Sequence, residues 1–389
     1  MPHPAPHTAE SLLSALIAFD TTSHLSNLDL IRFITGLMEA YGMRSDVLHN
    51  AEGTKANLYG TIGPDAPGGV VLSGHTDVVP VADQEWTTDP FTLDTRNGRY
   101  YGRGTADMKG FVACALAQLP KLAAATLTRP VHFAFSYDEE IGCLGVRPMI
   151  AHMVQHLPRP DLVIVGEPTE MAVVDAHKAI RSFRVDVTGL ACHSSQTDKG
   201  VNAIRYAARL IAYLDAIADE MRQRGDATQR FSPPYSTLSV GRIDGGTATN
   251  IVPAHCWFTF EHRTLPDQDE DEISTRLMAY AETDLLPAMR AVHPGADISI
   301  RTLAQAPGLA PTADTSPLDA VIMKLAGTNA RQAVSYATEA GLFQNAGIAT
   351  LVCGPGSILQ AHKPDEWLAR SQLAACDAFL SQLVEHLSA

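Results

Sequence analysis

Acidic and imidazole side chains stand at the ends of four apolar runs in the chain. Gly74, His75, Thr76 and Asp77 follow VVLS, and Asp138, Glu139 and Glu140 follow HFAFSY. Gly166, Glu167 and Pro168 follow DLVIV, while GIATLVC leads to Gly354 through Ser357 and then His362. Asp107 ends YGRGTAD just before an alanine-rich segment, where a helix start favours a negative charge. Two imidazoles and several carboxylates in one crevice suit Zn²⁺, Mn²⁺ or Co²⁺ better than Mg²⁺ or Ca²⁺. The number of carboxylates points to two ions, and a dication pair about 3.5 to 4 Å apart can hold a hydroxide as a nucleophile at neutral pH. His75 and Asp77, two apart on an extended segment, face the same way. Asp77 is then placed to accept the imidazole N–H that faces away from the metal. If the strand continues, Glu139 and Glu140 point in opposite senses, one as a ligand and the other as a general base.

Taken singly, HTD reads as a turn whose aspartate satisfies local backbone donors, and DEE as a solvated loop. GRGTAD resembles a dinucleotide loop but fails as one, because Asp107 stands where GxGxxG requires glycine. HExxH, GxSxG and the Walker pattern are absent. The joint occurrence of these groups, in order and at the ends of successive apolar runs, is what selects a metal crevice.

Such a crevice needs a sheet. The runs at 68–77, 130–140, 161–167 and 347–356 read as buried strands, and the segments 108–125 and 365–387 as helices. Together they predict an α/β domain with a mostly parallel sheet, whose ligand site lies at the carboxyl ends of the strands. Between its halves the rhythm changes to β-α-β-β-α-β over 182–301, the order of a ferredoxin-like α+β sandwich. The expected organisation is therefore a discontinuous catalytic metal-binding domain, 1–181 and 302–389, with an inserted domain at 182–301.

Composition narrows the partners. Among 389 residues, 29 are Lys or Arg and 43 are Asp or Glu, a net charge of −14 that repels nucleic acid and anionic membranes. With 46% hydrophobic and 19% charged residues, the chain reads as globular rather than disordered. No leader pattern and no apolar run of about 20 residues is evident, so the cytoplasm is the expected location. The six cysteines are scattered singly and read as reduced, mostly buried thiols.

Seven stretches, SGHTDVVPV, YGRGTADMKG, DEEIGCLG, VGEPTE, ACHSSQTDKGVNAI, GGTATNIVP and GPGSILQAHKPDEWL, resemble the M20 metallopeptidases and amidohydrolases in family order from residue 73 to 368. The resemblance implies a zinc-dependent exopeptidase-like α/β domain carrying an inserted dimerisation domain. It implies two zinc ions per subunit, with Co or Mn as substitutes: His75 and Glu167 on one, Glu140 and His362 on the other, and Asp107 bridging. Glu139 is then the general base, Asp77 orients His75, and the Asp107–Met108 peptide bond is cis. His193 corresponds to a histidine supplied by the partner subunit of a homodimer to stabilise the oxyanion. Asn250 and Arg263 match positions that contact the substrate carboxylate.

Within the family, SYATEAGLFQNAG at 335–347 and the GPGSILQAHKPDEW stretch are most similar to the members that deacetylate acetylornithine. The implied reaction is hydrolysis of N²-acetyl-L-ornithine to L-ornithine and acetate, a step of arginine biosynthesis. Glu339 is a candidate partner for the ornithine side-chain ammonium, or alternatively a helix N-terminal carboxylate. Tyr137 and Asp138 depart from the small or hydroxylated residues frequent before the glutamate pair, which bears on the acyl pocket. Deacylation of another N-acyl amino acid, such as acetylcitrulline or succinyl-diaminopimelate, is the alternative activity. A catalytically silent dimeric binding protein of the same fold is the alternative of another class.

Overall fold

The computed structural model describes residues 7–311 and 316–389, which form two compact units. The first comprises residues up to Asp175, Pro311–Gln332 and Thr338–Ala389, and the second Ala176–Ala310 with Ala333–Ala337. The insert thus begins before residue 182 and ends after 301, and a short later segment belongs to it as well.

The first unit is built on a sheet whose strands lie in the order Arg44–His49, Ala56–Ile62, Val131–Ser136, Val70–His75, Leu162–Val165, Thr350–Val352. The four strands from Val131–Ser136 to Thr350–Val352 run parallel, so their carboxyl ends open on one side. They are apolar nearly throughout because both faces are covered: Val70, Val71, Phe133, Val163 and Ile164 are all inaccessible to solvent. Helix Ala9–Ile17 starts at Thr8, whose side chain accepts the N–H of Ser11, and it buries Leu12, Leu13, Leu16 and Ile17. Helix Gly110–Ala117 is buried on every side up to Leu116.

Two expected helices are shorter than their pattern. The stretch 108–125 is broken at Gln118, because Pro120 has no N–H to continue the ladder and sits in the first turn of a new helix, Leu119–Ala124. The last helix, expected from 365, begins at Arg370. Before it, Trp367–Ala369 pairs with Arg99–Tyr101 as a short antiparallel strand, and the ring of Trp367 lies against the guanidinium of Arg99 at 3.8 Å.

The second unit is a four-stranded antiparallel sheet in the order Thr237–Gly245, His255–Thr264, Ala179–Thr188, Asp297–Ala306, the ferredoxin-like arrangement expected for β-α-β-β-α-β. Helix Ala203–Arg224 places Ala207, Leu210, Leu214 and Ile217 at helical spacing on Val185, Phe258 and Phe260. All six cysteines are free thiols, five of them buried. Among the described residues no helix is long and apolar enough to cross a membrane.

Candidate metal centre

His75 is the last residue of its strand, and its side chain is enclosed. Its Nδ1 lies 2.8 Å from the carbonyl oxygen of Asp77, which can only accept, so Nδ1 carries a proton and Nε2 is the nitrogen left to face a metal ion. That Nε2 faces Asp107 Oδ1 at 2.9 Å and Glu167 Oε1 at 3.7 Å. The Asp77 carboxylate was expected to hold this imidazole, but its Oδ1 is 3.6 Å from Nδ1. The carboxylate is engaged elsewhere: it accepts Ser23 Oγ at 2.7 Å and the backbone N–H groups of Glu139 at 3.1 Å and Glu140 at 3.3 Å.

Glu139 and Glu140 do not alternate along a strand. The strand ends at Ser136, and Asp138, at φ +56°, turns the chain so that both glutamates come back over the sheet end. Aspartate is among the few residues that enter this left-handed region readily. Lys55 holds the turn from outside, its Nζ donating to the Asp138 carboxylate and to the Ser23 carbonyl oxygen.

Asp107 occupies an irregular turn, Thr105–Lys109, and is followed by a cis peptide bond to Met108, as the resemblance implied. Its Oδ1 faces His75, while Oδ2 lies 3.3 Å from His362 Nε2. His362 Nε2 is also 3.0 Å from Glu140 Oε2. Ligand atoms of His75, Glu139 and Glu167 lie within 4.8 Å of one another, and so do those of His75, Asp107 and Glu140. Six of the residues singled out by sequence therefore meet at the carboxyl end of the parallel strands. Glu139, expected as a base only, stands within ligand distance as well.

The electrostatics are those of an excess of buried negative charge. Burial, together with the charge of neighbouring carboxylates, raises Glu139 and Glu167 well above the usual range, and burial beside Asp107 pushes Glu140 up to about 7. Burial acts to raise Asp107 too, yet hydrogen bonds from His362 and His75 hold it well below its ordinary value. Asp107 and Glu140 in turn push His362 up to about 10. Burial opposes the charging of His75, but the Asp107 hydrogen bond and the surrounding carboxylates outweigh it and raise its pKa. Four carboxylates against two imidazoles is a donor set that dications relieve. The mixture of nitrogen and oxygen ligands fits zinc or its near neighbours.

Glu339 lies just before the short helix Ala340–Asn345 and makes no capping hydrogen bond there. It is 1% exposed, accepts Ser136 Oγ on one oxygen and Ser73 Oγ at 3.4 Å on the other, and burial raises it to about 7. The remaining candidates belong to the second unit. His193 is exposed; its Nδ1 accepts the Ser195 N–H at 3.2 Å, so the ring proton sits on Nε2. Asn250 is exposed and its carbonyl oxygen accepts the Ser194 N–H at 3.0 Å. Arg263, partly exposed on strand His255–Thr264, donates through Nε to Glu261 Oε1 at 3.2 Å. Ser23 and Lys55 went unread in the sequence, since TTSH and GTKAN carry no signal that they meet the HTD and DEE segments.

A family model described as Peptidase family M20/M25/M40 matches residues 71–386. Acetylornithine deacetylase from Pasteurella multocida (strain Pm70) is 37% identical over 382 residues, covering 96% of each chain. Acetylornithine deacetylase from Proteus mirabilis (strain HI4320) is 37% identical over 377 residues, covering 96% of this chain and 93% of the relative. Among solved structures, an M20 family metallo-carboxypeptidase from Sulfolobus solfataricus superposes with a TM-score of 0.77 at 17% identity, covering 98% of this chain and 99% of that one. A tripeptidase from Staphylococcus aureus gives 0.72 at 17% identity over 99% of both chains. With its buried carboxylate and imidazole cluster at the ends of the parallel strands, and with relatives matched over nearly its whole length, this chain belongs to the M20 peptidase family.

Proposed function

We propose that the protein is a metal-dependent amidohydrolase that hydrolyses N²-acetyl-L-ornithine to L-ornithine and acetate, the step expected in arginine biosynthesis, as a cytoplasmic homodimer. The observation that carries the mechanism is the stance of Asp107, with one carboxylate oxygen toward each imidazole. In this reading His75 and Glu167 hold one zinc ion, Glu140 and His362 the other, and Asp107 is shared, with cobalt or manganese able to substitute. When bound, the ions polarise the amide carbonyl and make a water acidic enough to lose a proton near neutral pH.

The chain's own residues do the rest. Glu139 takes the proton from water at a carboxylate oxygen and delivers it to the leaving amine nitrogen as the C–N bond breaks and the acyl carbon gains the hydroxyl. His193, with its proton on Nε2, supplies a donor to the developing oxyanion from the partner subunit. Asn250 and Arg263 receive the substrate carboxylate. Glu339, enclosed beneath the site, favours a cationic side chain through its field rather than by contact.

The identity of the curated relatives supports this substrate over other acyl amino acids. The test is kcat/KM on acetylornithine, acetylcitrulline and succinyl-diaminopimelate. Preference for acetylornithine is expected, and a more than tenfold preference for either other compound removes the assignment. No turnover of any acyl amino acid by zinc-loaded protein favours a silent binding protein.

A further inference from the structure

Glu366 stands four positions after His362 and, although ionisable, is only 1% exposed. Both of its oxygens are committed to the loop that carries Asp107. Oε1 accepts the backbone N–H of Ala106 at 2.9 Å and of Asp107 itself at 3.1 Å, while Oε2 accepts the N–H of Gly104 at 3.0 Å and Nη1 of Arg103 at 2.8 Å. Successive backbone N–H groups converging on an anion form the cradle often seen around a bound phosphate. Here the anion is a side chain of the protein.

Arg103, also 1% exposed, reaches back the other way. Its Nη1 is 3.4 Å from the carbonyl oxygen of Lys363, and its Nη2 donates to Gln84 Oε1 at 2.6 Å. Gln84 Nε2 in turn donates to the carbonyl oxygen of His362 at 3.1 Å. Next along the chain, Asp365 Oδ1 accepts the N–H and Oγ of Thr87 at 2.9 and 3.0 Å. Within the His362 loop, the N–H of Gln360 bonds the Ser357 carbonyl oxygen at 2.9 Å and that of Ala361 the Ile358 carbonyl oxygen at 3.2 Å. The backbone of His362 is left-handed at φ +62°, it lies outside regular structure, and the imidazole is about half exposed. A buried ion pair contributes little net stability against an apolar pair of similar volume. Stability alone therefore does not account for a buried charged pair whose members bond to both ligand loops.

We propose that Glu366, paired with Arg103, is a positioning residue of the metal centre. It joins the Asp107 loop and the His362 loop into one rigid piece, so that the ion held by Glu140, His362 and the shared Asp107, with two ligands on the joined loops, depends on it more than the ion held by His75, Glu167 and the same Asp107, with one. The inference rests on the two-metal reading of the site. Glu366→Gln keeps the shape but turns an amide NH₂ toward Arg103 and the Gly104 N–H, donor against donor, whereas Glu366→Asp keeps the charge and withdraws it by one methylene.

The test is titration of chelator-stripped, full-length protein with Co²⁺, followed by its visible absorption and by competition with a chromophoric chelator. His362→Ala serves to identify the phase that belongs to its site. Glu366→Gln is expected to weaken that phase by about 10- to 100-fold while the other stays within about threefold, with Glu366→Asp recovering part of the loss. If Glu366→Gln does not fold, Gln84→Ala, which leaves Glu366 in place but cuts the bond to the His362 carbonyl together with those from Arg103 and Trp86, is expected to weaken the same phase. Two phases weakened equally, together with a lower melting temperature of the metal-free protein, mark a merely structural pair and overturn the proposal. So do two phases that match wild type in Glu366→Gln, or in Gln84→Ala where that variant stands in for it. Uptake of a single cobalt by the wild type overturns the two-metal reading, and this inference with it.

Discussion

The carboxylate of Asp77 accepts the backbone N–H of Glu139 at 3.1 Å, tying the turn that carries the proposed base to the residue two places beyond the first histidine. The same side chain accepts the N–H of Glu140, and the carbonyl oxygen of Asp77 fixes the tautomer of His75. One residue thus sets the geometry of three others. Asp77→Asn, which turns an amide NH₂ toward one of those N–H groups, is expected to lower metal affinity by about 10- to 100-fold and kcat along with it. Equilibrium dialysis with zinc beside steady-state kinetics checks this, and unchanged metal affinity contradicts it.

Glu139→Gln separates the base from a ligand, a distinction that matters because Glu139 stands within ligand distance of His75 and Glu167. As the base, it is expected to leave zinc content unchanged and to cost about 10²- to 10⁴-fold in kcat. Metal analysis of the purified variant decides the point: loss of an equivalent of zinc reassigns Glu139 to the ligand set.

His193→Ala is expected to reduce kcat by about 10²- to 10³-fold, with metal content unchanged, through loss of one oxyanion donor. Mixing His193→Ala with Glu139→Gln subunits is expected to restore part of the activity if the imidazole acts across a dimer. An inactive mixture that is shown to exchange subunits contradicts that arrangement.

Glu339 gives the stability a pH dependence of defined sign. Its native pKa is raised to about 7 by burial, above the ordinary 4.5, so the folded state binds the proton more tightly than the unfolded one. The stabilisation is complete below about pH 4.5 and is lost as the pH rises through 7. Glu339→Gln, which stays neutral, is therefore expected to gain on the wild type between pH 5 and pH 8, by about 3 kcal/mol at most. Urea unfolding of chelator-treated protein at the two pH values measures it, and a stability difference that does not change with pH contradicts it.

How much of this could be read from the sequence depended on the kind of contact. His75, Glu167 and the DEE triplet were legible because each follows a buried parallel strand, and side chains at those ends have one crevice to enter. The inserted sandwich was legible from periodicity, since strand His255–Thr264 alternates buried and partly exposed residues almost without a break. Contacts made by backbone or between loops were not legible. The partner of His75 Nδ1 is a carbonyl oxygen, which no residue type announces. Glu366 read as the start of a helix, because its four donors come from a loop distant in sequence. The Asp138 turn broke the expected alternation of Glu139 and Glu140 through a single left-handed residue.

The most direct test of the central claim, that Asp107 is shared by two ions, is anomalous diffraction at the zinc edge from crystals of metal-loaded protein. Two peaks about 3.5 to 4 Å apart are predicted, one beside His75 and Glu167, the other beside Glu140 and His362, with one Asp107 oxygen on each. A single peak, or a second one away from His362, contradicts it.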